Sequence, residues 1–112
     1  MLPEKLRARL RLPLIAAPML RVSGPDLVVA ACRAGVVGAF PTANARSEEE
    51  LDAWLTDITA RSRAGGIDPA PYCPNLIIRQ PRMASDLALL VKHKVELVIT
   101  SVGSPAAVVG PL

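Results

Sequence analysis

The chain has 112 residues, 51% of them hydrophobic and 21% charged, with a net charge of +3. That length and composition suit one small folded domain, residues 1–112, and exclude a disordered polymer or a two-domain protein. Aromatics are only 3%, and the basic residues are scattered (Arg7, Arg9 and Arg11; Arg61 and Arg63; Lys92 and Lys94), which argues against a nucleic-acid partner.

Other exclusions follow from pattern. No apolar stretch reaches the roughly 18 residues a membrane span needs. Met1 to Leu10 is basic and amphipathic but lacks the apolar core of a secretory signal. Cys32 and Cys73 stand far apart in apolar surroundings, as reduced, buried thiols of a cytoplasmic protein would.

In chain order, Leu2, Leu6 and Leu10 recur at helical spacing, and Pro3–Leu10 reads as a short helix. Leu14–Ala17 follows as a brief strand between Pro13 and Pro18. It has no polar side chain, so the expectation is burial on both faces, as in a parallel sheet. Ala17, Pro18 and Met19 form the turn beyond it. Met19 reads either as core filler, which composition alone favours, or as a soft surface for a flat aromatic cofactor.

Ser23 is placed to cap the next helix, with Pro25 and Asp26 in its first turn and Gly35 at its end. Val36–Phe40 is a second apolar strand, and Pro41–Asn44 a loop. Ser47 and Glu50 have the spacing of a capping box, and Leu51, Trp54, Leu55 and Ile58 fall on one helix face. Trp54 therefore reads as a packing residue. Gly65 and Gly66 stop this helix, and Ile67–Tyr72, holding two prolines, reads as an irregular connector.

Pro74–Ile78 is predicted as the third strand, and Arg79–Pro81 as a loop. Met83–Lys92 is a further amphipathic helix with Leu87, Leu90 and Val91 inward. Glu96–Thr100 is the fourth strand, Ser101–Pro105 a small-residue turn, and Ala106 opens another helix. Alternating apolar strands and helices imply parallel strands with right-handed crossovers. An open dinucleotide-binding sheet needs a glycine-rich turn after its first strand, and this chain has none. The expected fold is α/β of the TIM-barrel (β/α)₈ type, here about the first four β/α units, a half barrel. The edges of such a half barrel predict edge-to-edge self-association.

Four segments carry a resemblance: Pro-Leu-Ile-Ala-Ala-Pro-Met at 13–19, Ala-Gly-Val-Val-Gly-Ala-Phe at 34–40, Asn-Leu-Ile at 75–77, and Val-Ile-Thr-Ser-Val-Gly-Ser-Pro at 98–105. Together they resemble the N-terminal half of the nitronate monooxygenases, formerly called 2-nitropropane dioxygenases, which are FMN-dependent TIM barrels. The resemblance implies that Ala17, Pro18 and Met19 back the flavin ring and that Asn75 contacts FMN. It implies that Ser101 and Gly103 line the flavin or substrate side. Without it, Asn75 reads equally as a loop-capping residue, and Ser101 and Gly103 as ordinary turn residues. The implied reaction is oxidation of an alkyl nitronate by O₂, giving a carbonyl compound and nitrite. A flavin-dependent enoyl reductase acting on an enoyl thioester with NAD(P)H is the enzyme alternative. An inactive half barrel that only associates with a partner is the other.

Two family features have no counterpart here. The catalytic histidine is expected after the fifth or sixth strand, beyond residue 112, and the phosphate-binding glycines belong to the last strands. The single histidine, His93, is predicted to be a solvated helix-end residue at the opposite end of the barrel from the chemistry.

Overall fold

The computed structural model describes residues 3–112. Four parallel strands form one sheet in the order β1 (Ile15–Ala16), β2 (Val37–Pro41), β3 (Tyr72–Ile77) and β4 (Ile99–Ser101). Each pairs with its neighbour in sequence: Ala16 with Gly38, Phe40 with Pro74, Asn75 with Ile99. The helices α2 (Pro25–Ala34), α3 (Glu48–Ser62) and α4 (Met83–Lys92) make the crossovers. Short α1 (Glu4–Arg7) precedes the sheet and α5 (Ala106–Val109) follows it. This is the half barrel expected from the alternation of elements. Leu2, assigned to the first helix's apolar stripe, lies outside the described residues.

Side chains alternate across the sheet. Phe40 and Leu76 point to the helices and share a core with Val28, Cys32, Leu51, Leu55, Ile58 and Leu90. Trp54 packs on this core, its ring 5.9 Å from that of Phe40. Gly38 lets α2 close on β2, because a Cβ there would stand 2.7 Å from the Val28 carbonyl oxygen. On the inner face, Val37, Ala39 and Cys73 form a smaller buried layer under Leu10, Leu97 and Ile99.

Several boundaries and roles differ from expectation, each for a local reason. β1 is not buried on both faces: Ile15 is 48% exposed, because an edge strand has a sheet neighbour on one side only. Ser23 does not cap α2. Gly24 occupies the cap, and the Ser23 hydroxyl instead accepts the Met19 N–H at 2.9 Å. In α3 the Ser47 hydroxyl accepts from the Glu50 N–H at 3.1 Å as expected, but the Glu50 carboxylate reaches the N–H of Arg46. β3 starts at Tyr72, inside the stretch read as connector. It tolerates Pro74, which has no N–H, because the β3–β4 ladder begins only one residue later. Ser101 belongs to β4 rather than to the turn, and Val91 points outward from α4.

Asp86, in the first turns of α4, is fully buried. Its carboxylate accepts from the Thr42 hydroxyl at 2.8 Å and from the Arg82 guanidinium at 3.1 Å. Arg82 also donates to the Ala45 carbonyl at 2.7 Å, tying α4 to the segment after β2.

Both cysteines are free and buried. Burial pushes the Cys73 thiol up to about 12 and raises that of Cys32. Since the thiolate is the nucleophile, both should resist iodoacetamide in the native chain at mildly alkaline pH and react in concentrated guanidinium. Rapid native labelling of Cys73 would show that the inner layer is open.

Candidate functional site

The C-terminal ends of parallel strands are where barrel chemistry assembles. At that end, β1 leads into the turn Ala17–Pro18–Met19, β3 presents Asn75, and β4 presents Ser101 followed by Val102 and Gly103. Asn75 lies two residues before the end of β3 rather than at its tip. Its register partner Ile99 packs on the inner layer, so Asn75 faces inward; Ser101, two residues beyond Ile99, faces the same way.

Asn75 and Ser101 meet directly. The Ser101 hydroxyl donates to Asn75 Oδ1 at 3.1 Å across the β3–β4 pair. That bond leaves Nδ2 with no partner among the described residues. Both side chains are half-buried. The site thus offers an unpartnered N–H donor on the inner face.

The turn after β4 is tightly determined. The Ile78 N–H donates to the Ser101 carbonyl at 2.8 Å, and the Arg79 N–H to the Val102 carbonyl at 3.2 Å. Val102 is left at φ +54, a conformation that β-branched residues seldom adopt. Gly103 has φ +146, and a Cβ there would stand 2.9 Å from the Ile78 side chain. Its glycine is therefore required by both backbone and packing.

The turn after β1 sits at the opposite edge of the same end. Ala17 and Met19 are exposed and Pro18 is half-buried. Met19 is 44% exposed, so it is not core filler. This turn is held by side chains outside the expected set. Ser23 takes the Met19 N–H, and Asn44, in the 3₁₀ turn Thr42–Asn44 after β2, binds the segment in three places. Asn44 carried a sequence signal, an Asn closing a loop behind an apolar strand, but its partners lie more than 20 residues away.

His93 sits at the C-terminal end of α4, at the other end of the sheet, as expected. It is not solvated: its side chain is 15% exposed, with Nε2 2.6 Å from Asp52 Oδ1 on α3. The His93 ring, and then the Lys92 ammonium at 3.1 Å, hold the Asp52 carboxyl below its ordinary range. This cluster fastens α4 to α3 and is remote from Asn75. Among the described residues no helix is long and apolar enough to cross a membrane.

The donor set fits the ring side of a flavin. Asn75 Nδ2 has no partner among the described residues, Oδ1 accepts from Ser101, and the Ala17–Met19 turn offers uncharged surface. No family model matches the chain, and no curated protein matches it in sequence. Among solved structures it is similar to FabK from Thermotoga maritima, with a TM-score of 0.74 and 19% sequence identity. The match covers 97% of this chain and 33% of FabK, so the chain spans about a third of that protein's length. The four-stranded half barrel described above corresponds to a fragment of FabK's TIM barrel.

Proposed function

We propose that this chain carries the ring side of the flavin site of an FMN-dependent oxidoreductase, with an alkyl nitronate and O₂ as substrates. The observation that carries the reading is the Asn75–Ser101 pair, which aims an unpaired amide donor from the inner face. FabK, an enoyl-ACP reductase and a TIM-barrel flavoenzyme, supports flavin chemistry on this fold.

In this reading Asn75 Nδ2 donates to the polar edge of the flavin ring while its Oδ1 accepts from the Ser101 hydroxyl. Ala17, Pro18 and Met19 cover the ring and exclude water from it, and Gly103 shapes the wall beside it. FMN, when bound, supplies the electron transfer. No residue of this chain is assigned to the phosphate anchor or to the base that takes the nitronate's proton. A flavin-dependent enoyl reductase is the second reading, and the likeness to FabK favours it comparably. O₂-dependent turnover of propyl nitronate supports the first, and enoyl-thioester-driven NAD(P)H oxidation the second.

The chain itself is tested by fluorescence titration with FMN and with lumiflavin, the same ring without ribityl phosphate. Equal, weak affinity is the expected result, because charge-assisted bonds to phosphate are the strong part of such anchoring. Much tighter FMN binding would place phosphate donors in this chain and overturn the ring-side division. No binding of either would remove the flavin reading.

The proposal extends to assembly. β1 and β4 present open edges, and Leu14 and Ile15 are exposed along the first. The 112-residue chain on its own is expected to self-associate through these edges. Sedimentation velocity checks this, and a stable monomer at high concentration would count against it.

A further inference from the structure

The loops after β1 and β2 are joined by one side chain. Asn44 Nδ2 donates to the carbonyl oxygens of Met19 at 3.0 Å and Ser23 at 2.8 Å, while its Oδ1 accepts the Arg21 N–H at 2.8 Å. All three partners are main-chain groups of one five-residue segment.

That segment is held by hydrogen bonds rather than by packing. Leu20 and Val22 are 61% and 66% exposed, so apolar burial contributes little. Arg21 holds φ +64, a left-handed conformation that is unfavourable for a residue bearing a Cβ. The N–H that this conformation presents is the one Asn44 accepts. At the near end, the buried Ser23 hydroxyl takes the Met19 N–H, and the Val22 and Ser23 N–H groups close a turn onto the Met19 carbonyl.

We infer that Asn44 is a positioning residue for the cofactor face: it fixes the backbone of 19–23, and through it the direction in which Ala17–Met19 meets the ring. The inference rests on the flavin reading of that face. Asn44 acts on the segment rather than on the ligand. Its chemistry is specific, because the role needs two N–H donors and one acceptor on a short stem. Aspartate at 44 has the same shape but would set a carboxylate against two carbonyl oxygens. It keeps an acceptor for the Arg21 N–H but loses both Nδ2 bonds, so it should loosen the segment, though less than leucine does, whereas a position needing only polarity would accept it fully.

The test compares Asn44→Asp and Asn44→Leu with the unmodified chain by amide hydrogen exchange, lumiflavin affinity and thermal melting. The Arg21 amide should exchange roughly twofold to tenfold faster in Asn44→Leu, the range expected when a hydrogen bond of ordinary net strength is removed, and measurably faster in Asn44→Asp as the segment loosens. Amides of β2 and α3 should keep their protection. Lumiflavin affinity should fall by a similar factor, with melting little changed. Unchanged exchange at Arg21 would overturn the clamp. Faster exchange with full lumiflavin affinity would overturn the positioning role while leaving the flavin reading intact. Failure of the unmodified chain to bind lumiflavin would instead overturn that reading, and the positioning role with it. Should Asn44→Leu not fold, Asn44→Asp, which keeps the shape of the side chain, decides the matter.

Discussion

Asp86→Ala is expected to cost about 3 kcal/mol of stability, the low end of the range for breaking a buried ion pair. The carboxylate is fully buried, whereas the Arg82 side chain remains 26% exposed and can partly rehydrate. Removing the carboxylate leaves the Thr42 hydroxyl without its acceptor in a site closed to water, and leaves Arg82 with only the carbonyls of Thr42 and Ala45. Against the roughly 5–15 kcal/mol that holds an ordinary domain together, this is a large fraction. It should lower the melting temperature by roughly 10–20 °C. Asp86→Asn keeps the shape and one acceptor oxygen, and should lose clearly less. Chemical denaturation of both variants measures the difference. Equal stability of Asp86→Ala and the unmodified chain would show that the network is incidental to the fold.

Asn75→Leu should weaken flavin affinity about tenfold to a hundredfold. The replacement keeps approximate volume and removes both hydrogen-bonding functions, so the polar edge of the ring would lose its partner at a cost of about 1–3 kcal/mol. The Ser101 hydroxyl would also lose its acceptor, since its bond in the structure is to Asn75 Oδ1. His93→Ala supplies the contrast. It disturbs the α3–α4 contact through Asp52 and should leave flavin affinity nearly unchanged. Fluorescence titration of the apo-variants checks the pair. Full affinity in Asn75→Leu would reduce Asn75 to a structural partner of Ser101. A strong loss in His93→Ala would mean that the ligand sits at the other end of the sheet.

How much of this was legible in the sequence depends on how far apart the interacting groups lie. α2 and α3 were readable because their signals are local: Gly35 ends the first, and Ser47 with Glu50 begins the second. The strand order followed from alternation together with the missing glycine-rich turn after the first strand, which set aside an open dinucleotide-binding sheet. The apolar turn at Ala17–Met19 and the polar positions Asn75 and Ser101 were visible as residues, but the bond between the last two depends on the β3–β4 register, which no local pattern specifies. Asp86 was the hardest. An aspartate in the first turns of a helix ordinarily complements the helix dipole in solvent. Its burial is decided by Thr42, 44 residues away. Asn44 was obscure for the same reason. Ser23 misled because a serine ahead of a helix is a good cap, and here a nearer backbone group, the Met19 N–H, competed for its hydroxyl.

The pairing of every strand with its neighbour in sequence bears on how the chain acquires its structure. Each new strand closes a loop of only roughly 20–35 residues through its own helix, so the entropic barrier to adding it stays small. The longest ladder is β2–β3, and the helix between these strands, α3, buries Leu51, Leu55 and Ile58 against Phe40 and Leu76. That unit is the natural nucleus, with β1 and β4 condensing onto its two sides afterwards. A chain organised in this way can build its sheet as it leaves the ribosome, one β/α step at a time. The growing edge stays apolar and adhesive until the next strand arrives to cover it.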